Sequence, residues 1–197
     1  PTPRRTGSTK TPPPTGVRMI STLRQAEMLE RAQGCLLGQL AGDSPSSLVE
    51  FRSQEDIRRE YPNGVHELTD GGTWNTIAGQ PTDDSKMAFL LARLLADQGR
   101  YDPEEARKAY IFWLDPGPFD CGMTVSSGLR GRPNPDSQAN GAMMRISPLG
   151  MFGANHAPEL VAESALQDAA ITHPHPVCQQ ANALFTMAIA HACPPRV

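Results

Sequence analysis

Between Leu23 and Ala41 apolar and small residues return every three or four positions, at Leu23, Ala26, Leu29, Ala32, Leu36, Leu37 and Leu40, with Ser21 or Thr22 ahead of them as a cap. That period is the signature of a helix face. It recurs through Met87, Leu90, Leu91, Leu94 and Leu95, which predicts a helix over 83–97 closed near Gly99. Asp102 ahead of Pro103, with Glu104 and Glu105 in the first turn, predicts another that ends at Leu114 before Asp115-Pro-Gly117. Leu160, Val161, Ala165, Leu166 and Ala169 mark a helix after Pro158, and a last one is expected over 177–192. Shorter helical stretches are expected over 54–60, 124–129 and 141–150. No window combines strand alternation with β-branched enrichment, so the expected fold class is all-α, a helical bundle with long loops.

Composition sets the frame around those helices. A chain of 197 residues can bury a sizeable core. Five prolines and the cations Arg4, Arg5, Lys10 and Arg18 crowd the opening stretch, so residues 1–19 read as a disordered basic Pro-rich tail and 20–197 as one helical domain. The tail holds no acid, which leaves the body with seven more acids than bases and argues against nucleic-acid binding by the fold. No apolar run approaches a membrane span, and no signal-peptide pattern follows the basic stretch. Cys35, Cys121, Cys178 and Cys193 show no CxxC spacing, as reduced thiols would. The expected location is cytoplasmic, with no membrane partner; oligomeric state is not legible. The first residue, Pro1, is not methionine, which suggests a processed or incomplete upstream end.

Two local features carry chemistry. Gly34, Gly38 and Gly42 form a stripe four residues apart inside a helix, a costly choice that makes sense where another backbone approaches closely or where helices pack tightly. Thr82-Asp83-Asp84 stands where a long loop becomes a helix. Its hydroxyl and carboxylate oxygens are hard ligands of the kind Mg²⁺ or Mn²⁺ takes, and a cation would relieve the repulsion of adjacent acids. The competing reading is a helix cap: Thr is a good N-cap, and acids suit the first turn.

Five blocks occur in order along the chain: Gly34-Cys-Leu-Leu-Gly38-Gln-Leu-Ala-Gly42-Asp43, Pro81-Thr-Asp-Asp-Ser85-Lys-Met87, Phe119-Asp-Cys-Gly122, Asn140-Gly-Ala-Met-Met-Arg145-Ile-Ser-Pro-Leu149 and Thr172-His173-Pro174. Together they resemble the ADP-ribosylglycohydrolase family, of the ADP-ribosyl-[dinitrogen reductase] hydrolase kind. The resemblance implies an all-α fold with a dinuclear Mg²⁺ or Mn²⁺ centre that cleaves ADP-ribose from an acceptor, arginine above all. By this likeness Thr82, Asp83 and Asp84 are metal ligands and Asp120 is the general acid/base or positioning carboxylate. Asn140, Gly141, His173 and Glu50 line the substrate site, the first two with amides near the diphosphate. Ordinary readings stand beside these: a loop acid capping the next helix for Asp120, a turn for Asn140-Gly141, a satisfied turn histidine for His173, a solvated helix-end charge for Glu50. Arg145 is left outside the site as a structural ion-pair residue.

The pattern departs from the family in one large respect. The family's second acidic motif, Asp-x-Asp followed by Thr, is missing, and Glu159, Glu163 and Asp168 read as the solvent face of one helix. The expectation is an amino-terminal part truncated at the carboxy end, with natural loss or completion by a partner as alternatives. Ser85, Pro45 in the loop after Asp43, and Met123 are smaller departures. The expected partner is an ADP-ribosylated protein or ADP-ribose derivative. A different class also fits: a catalytically incomplete immunity or binding protein that occludes an ADP-ribosylating toxin, with the basic tail inserted.

Overall fold

A computed structural model describes residues 15–193, side chains from 24 onward; residues 1–14 of the expected tail lie outside the described residues. Eight α-helices follow one another among them: α1 (Thr15–Ser46), α2 (Gln54–Glu60), α3 (Asp83–Gln98), α4 (Pro103–Leu114), α5 (Met123–Leu129), α6 (Ser147–Gly153), α7 (Pro158–Thr172) and α8 (Pro176–Ala192). No strand occurs among the described residues; one isolated antiparallel bridge joins Gly71 to Thr76. The all-α expectation holds. Helix α1 begins at Thr15, inside the stretch read as tail, and runs through Pro45, which sits in its last turn and not in a loop.

Side-chain caps start three of the helices, at Ser53, Asp102 and His175. Asp102 accepts hydrogen bonds from the Glu104 and Glu105 amides at 3.0 and 3.3 Å, and Pro103 needs no donor at the first position of α4. Gly99 closes α3 in the left-handed conformation, with φ 64° and its amide on the Leu95 carbonyl. The expected single helix over 141–150 divides instead into a short 3-10 turn, Met143–Arg145, and α6. Pro148 at the start of α6 marks that division, because a proline belongs in a first turn.

The core lies between α3, α4, α6 and α7, where Met87, Leu91, Tyr110, Leu129, Ile146, Leu149 and Ala165 are buried. Helix α5 crosses the end of α7 at Gly128, where a Cβ would come 2.6 Å from the Thr172 Cα; only glycine permits that crossing. The crossing fixes the junction of Thr172 and His173 against the rest of the bundle.

Helix α1 departs from expectation in packing. Its apolar stripe is not a core stripe: Leu29 and Leu37 are 59% and 63% exposed. The glycines expected to admit another backbone, Gly34, Gly38 and Gly42, would each gain a Cβ with no atom within 4 Å. Arg31 of helix α1 donates to the Ala192 carbonyl at 3.1 Å. Among its described side chains, helix α1 is buried only at its carboxy-terminal end, at Asp43 and Ser44, with Ser47 and Leu48 buried just after it. Gln39 fastens it there by donating to the Asp84 carbonyl at 3.1 Å and the Met144 carbonyl at 2.9 Å.

Candidate active site

The amino-terminal end of α3 carries the expected triplet, but its cap comes from elsewhere. Thr82 makes no side-chain capping bond. Instead Asp43 of α1 accepts from the Thr82 amide at 3.1 and 3.2 Å, from the Thr82 hydroxyl at 2.6 Å and from the Ser85 amide at 3.1 Å. Local capping by Thr82 is thereby replaced by a long-range carboxylate, and the three residues of the triplet are freed of that duty. The ordered blocks include Asp43 but give it no role. Its signal was an acid in the last turn of a helix, where the macrodipole disfavours negative charge unless another donor claims it.

Four acids gather with Asp43. Asp83 is buried and its Oδ2 accepts from the Gly122 amide at 3.4 Å. Asp120, also buried, and Asp84 both feel the charge of Asp83. Desolvation first, then the negative charge of Asp83, pushes both Asp84 and Asp120 up to about 7; Glu50 adds to the repulsion at each. The two act as members of one titrating group. Glu50 is held by the Trp74 indole N–H at 3.0 Å, and Trp74 leans on Phe51 and Phe119 with ring centroids 6.0 Å away in each case. Lys86 lies 3.7 Å over the Phe119 ring, the one cation against this cluster among the described charges that act on Asp120. A cavity of about 290 Å³ opens here, lined by Asp43, Ser46, Glu50, Thr82 and Asp84.

The donor set tests well and counts short for a divalent cation. Hydroxyl and carboxylate oxygens suit Mg²⁺ or Mn²⁺, and two carboxyls raised to about 7 by their neighbours are groups that a cation would relieve. Among the described residues, however, no three His, Cys, Asp or Glu side chains are arranged to hold a metal ion.

Asn140, Gly141 and His173 form a second corner. Asn140 is exposed, and its carbonyl accepts from the Met143 and Met144 amides at 2.8 and 3.1 Å. Gly141 is required by the protein's own packing: an added Cβ would meet Val125 Cγ2 at 2.7 Å and His173 Cε1 at 3.0 Å. His173 is fully buried, and burial with the nearby Arg145 charge lowers its imidazole to about 4. The ring is satisfied on one side only: Nδ1 lies 2.7 Å from Thr172 Oγ1, whereas Nε2 has no partner. Helix α5 joins the two corners, since Gly122 at its start touches Asp83 while Val125 touches Gly141.

Arg145 is the structural residue the sequence suggested, and Asp168 is its partner rather than a surface acid. Both are fully buried, with the Arg145 Nε 2.9 Å from Asp168 Oδ1. Tyr110 and Tyr101 donate to Asp168 Oδ2 at 2.8 and 3.3 Å. The helical period could have shown it: Asp168 shares the buried face of α7 with Val161, Ala165, Ala169 and Thr172.

The ADP-ribosylglycohydrolase family model matches residues 24–196. The chain belongs to the ADP-ribosylglycohydrolase family. It is 34% identical over 162 residues to the ADP-ribosyl-[dinitrogen reductase] glycohydrolase of Rhodospirillum rubrum, covering 77% of this chain and 54% of that protein. It is 29% identical over 169 residues to the ADP-ribosylarginine hydrolase Tri1 of Pseudomonas putida, covering 77% and 44%. A solved structure titled an ADP-ribosylglycohydrolase-related protein complex superposes with a TM-score of 0.73 at 24% identity, over 85% of this chain and 58% of that one, and so shares the fold. The chain spans about half the length of these relatives. All five ordered blocks lie within the matched ADP-ribosylglycohydrolase region. Among the described residues no helix is long and apolar enough to cross a membrane, and all four cysteines are free.

Proposed function

We propose that this chain is part of a metal-dependent hydrolase that removes ADP-ribose from an ADP-ribosylated protein, with arginine as the acceptor. The observation that carries the reading is the carboxylate group around α3, in which Asp84 and Asp120 are both raised to about 7 beside Asp83. Asp43, Glu50 and Asp84 of this acid-rich cluster line a cavity, and Lys86 is a base that acts on it. The arginine acceptor is favoured by the likeness to the ADP-ribosylarginine hydrolase of Pseudomonas putida.

Hydrolysis of the N-glycosidic bond breaks the bond from the anomeric carbon to the guanidine nitrogen, adds a water oxygen at that carbon, and returns a proton to the leaving nitrogen. Asp120, a buried carboxyl beside Asp83, would take the proton step or position the ribose. Thr82, Asp83 and Asp84 would hold Mg²⁺ or Mn²⁺, and a bound cation would supply charge that polarises the ribose hydroxyls and acidifies water. Asn140 and Gly141 would receive the diphosphate, with His173 behind them, and Glu50 would stand near the metal beside Thr82 and Asp84. Buried Asp43 keeps the α3 terminus in place so that Thr82 and Asp84 line the cavity, with Asp83 buried beside them.

The test is release of ADP-ribose from an ADP-ribosylarginine protein with Mg²⁺ or Mn²⁺ present. Asp83→Ala is expected to abolish release; release from the variant at the rate of the parent protein would end the proposal.

A further inference from the structure

The buried network around Arg145 ends on an atom without a partner. Arg145 Nη1 donates to the Gly141 carbonyl at 3.3 Å and to the Thr172 hydroxyl oxygen at 3.1 Å. Thr172 Oγ1 in turn lies 2.7 Å from His173 Nδ1. The far nitrogen, His173 Nε2, is buried and has no hydrogen-bond partner. It faces the Asn140–Gly141 loop, since a Cβ on Gly141 would stand 3.2 Å from it.

Proton counting decides which ring nitrogen carries the hydrogen. Arginine can only donate, so the Thr172 oxygen is an acceptor toward Arg145. Thr172 is fully buried, and its own hydroxyl hydrogen needs an acceptor. Nδ1 of His173 is the one such atom that the hydroxyl meets among the described residues. Placing the hydrogen on Nδ1 would orphan the Thr172 hydrogen and leave Nε2 unpaired as well. Placing it on Nε2 leaves a single orphan, the Nε2–H itself. Burial and the Arg145 charge keep the ring neutral at pH 7, so there is one hydrogen to place.

We infer that Arg145, acting through Thr172, fixes His173 as the Nε2–H tautomer and so aims a buried, unpaired donor at the Asn140–Gly141 loop. Thr172 and Arg145 are thereby positioning residues. The same guanidinium that orients His173 also holds the Gly141 carbonyl, so ring and loop are set by one group. The unpaired donor calls for an oxygen acceptor delivered on the loop side, and a phosphate or ribose oxygen of ADP-ribose is that acceptor. This last consequence rests on the function proposed above; the tautomer does not.

The experiment is ¹⁵N spectroscopy of histidine-labelled protein, with free ADP-ribose as the probe ligand, on the parent protein, Thr172→Ser and Thr172→Val. The parent spectrum is expected to show His173 neutral and protonated on Nε2, with the Nε2 resonance moving when ADP-ribose binds. T172S keeps the hydroxyl and should keep both properties. T172V, nearly the same shape without the hydroxyl, should populate the Nδ1–H form and bind ADP-ribose about tenfold more weakly. A parent His173 protonated on Nδ1, or T172V retaining both the Nε2–H form and parent affinity, would overturn the inference. The parent spectrum decides the tautomer even where T172V fails to fold. An Nε2–H ring in a protein that does not bind ADP-ribose supports the relay and counts against the proposed function alone.

Discussion

The Asp43 carboxylate receives both the backbone amide and the hydroxyl of Thr82, 39 positions further along the chain. It takes the Ser85 amide as well, so one buried carboxylate caps α3 and ties α1 to it. Asp43→Ala leaves those donors without partners in a buried place. The expected loss is about 2–3 kcal/mol, a helix cap plus an unsatisfied buried group. Urea unfolding measures it. Asp43→Asn, which keeps one acceptor oxygen, should lose less; equal losses for the two variants would show that the carboxylate's acceptors are not what matters.

Asp84 and Asp120 have folded-state ionisations near 7, above the ordinary carboxylate value. A carboxyl raised on folding contributes stability that is complete below its unfolded pKa and is lost as pH climbs through the folded one. The metal-free protein should therefore lose stability between about pH 4 and pH 8 in this cluster's share. Asp120→Asn removes one of the repelling charges. It should raise the thermal midpoint at pH 8, for a stability gain on the order of 1–2 kcal/mol, and flatten the slope while reducing activity by roughly a hundredfold or more. Mg²⁺ should raise the parent's midpoint more at pH 8 than at pH 5. A variant less stable than its parent at pH 8 would mean that the acids are not in net repulsion.

Much of this fold was readable from residue order. The segment Gln54–Glu60, α4 with Asp102 and Pro103, and α3 closed by Gly99 follow from period and cap residues that act within a turn. What escaped was long-range. Asp43 as the cap of α3 depends on a contact between segments far apart in sequence, and no local pattern encodes it. Asp168 was misread because an acid counts as polar in any period, although its register placed it among buried residues of α7. The triplet at Thr82 was legible through its ordered neighbours, whereas the raised ionisation of Asp120 came only from seeing Asp83 and Glu50 beside it.

Arg145 and Asp168 are both without solvent exposure, and their separation is 2.9 Å. Removing one partner strands the other charge in the core. Arg145→Met should cost about 3–5 kcal/mol or prevent folding. The paired change Arg145→Met with Asp168→Leu should recover a large part of that loss, because the stranded charge is gone. The guide is the difference between single and double variants in guanidinium unfolding. No recovery in the double variant would place the loss in the Tyr101, Tyr110 and Thr172 hydrogen bonds rather than in the buried charge.

Glycine to alanine changes at Gly141 and Gly38 should go in opposite directions, for one geometric reason. At Gly141 the new methyl would stand 2.7 Å from Val125 Cγ2 and 3.0 Å from His173 Cε1, so ring or loop must shift. Gly141→Ala should destabilise by about 1–3 kcal/mol and weaken ADP-ribose binding, since the displaced loop carries Asn140. At Gly38 the methyl meets nothing within 4 Å, inside the α1 helix. Gly38→Ala should therefore add helicity and as much as about 1 kcal/mol, the ordinary gain of alanine over glycine in an exposed helix. Circular dichroism and urea unfolding of the two variants side by side give the comparison. Should Gly38→Ala instead destabilise, another backbone must lie against that stripe, and the close approach implied by three glycines spaced four apart would be real in the protein.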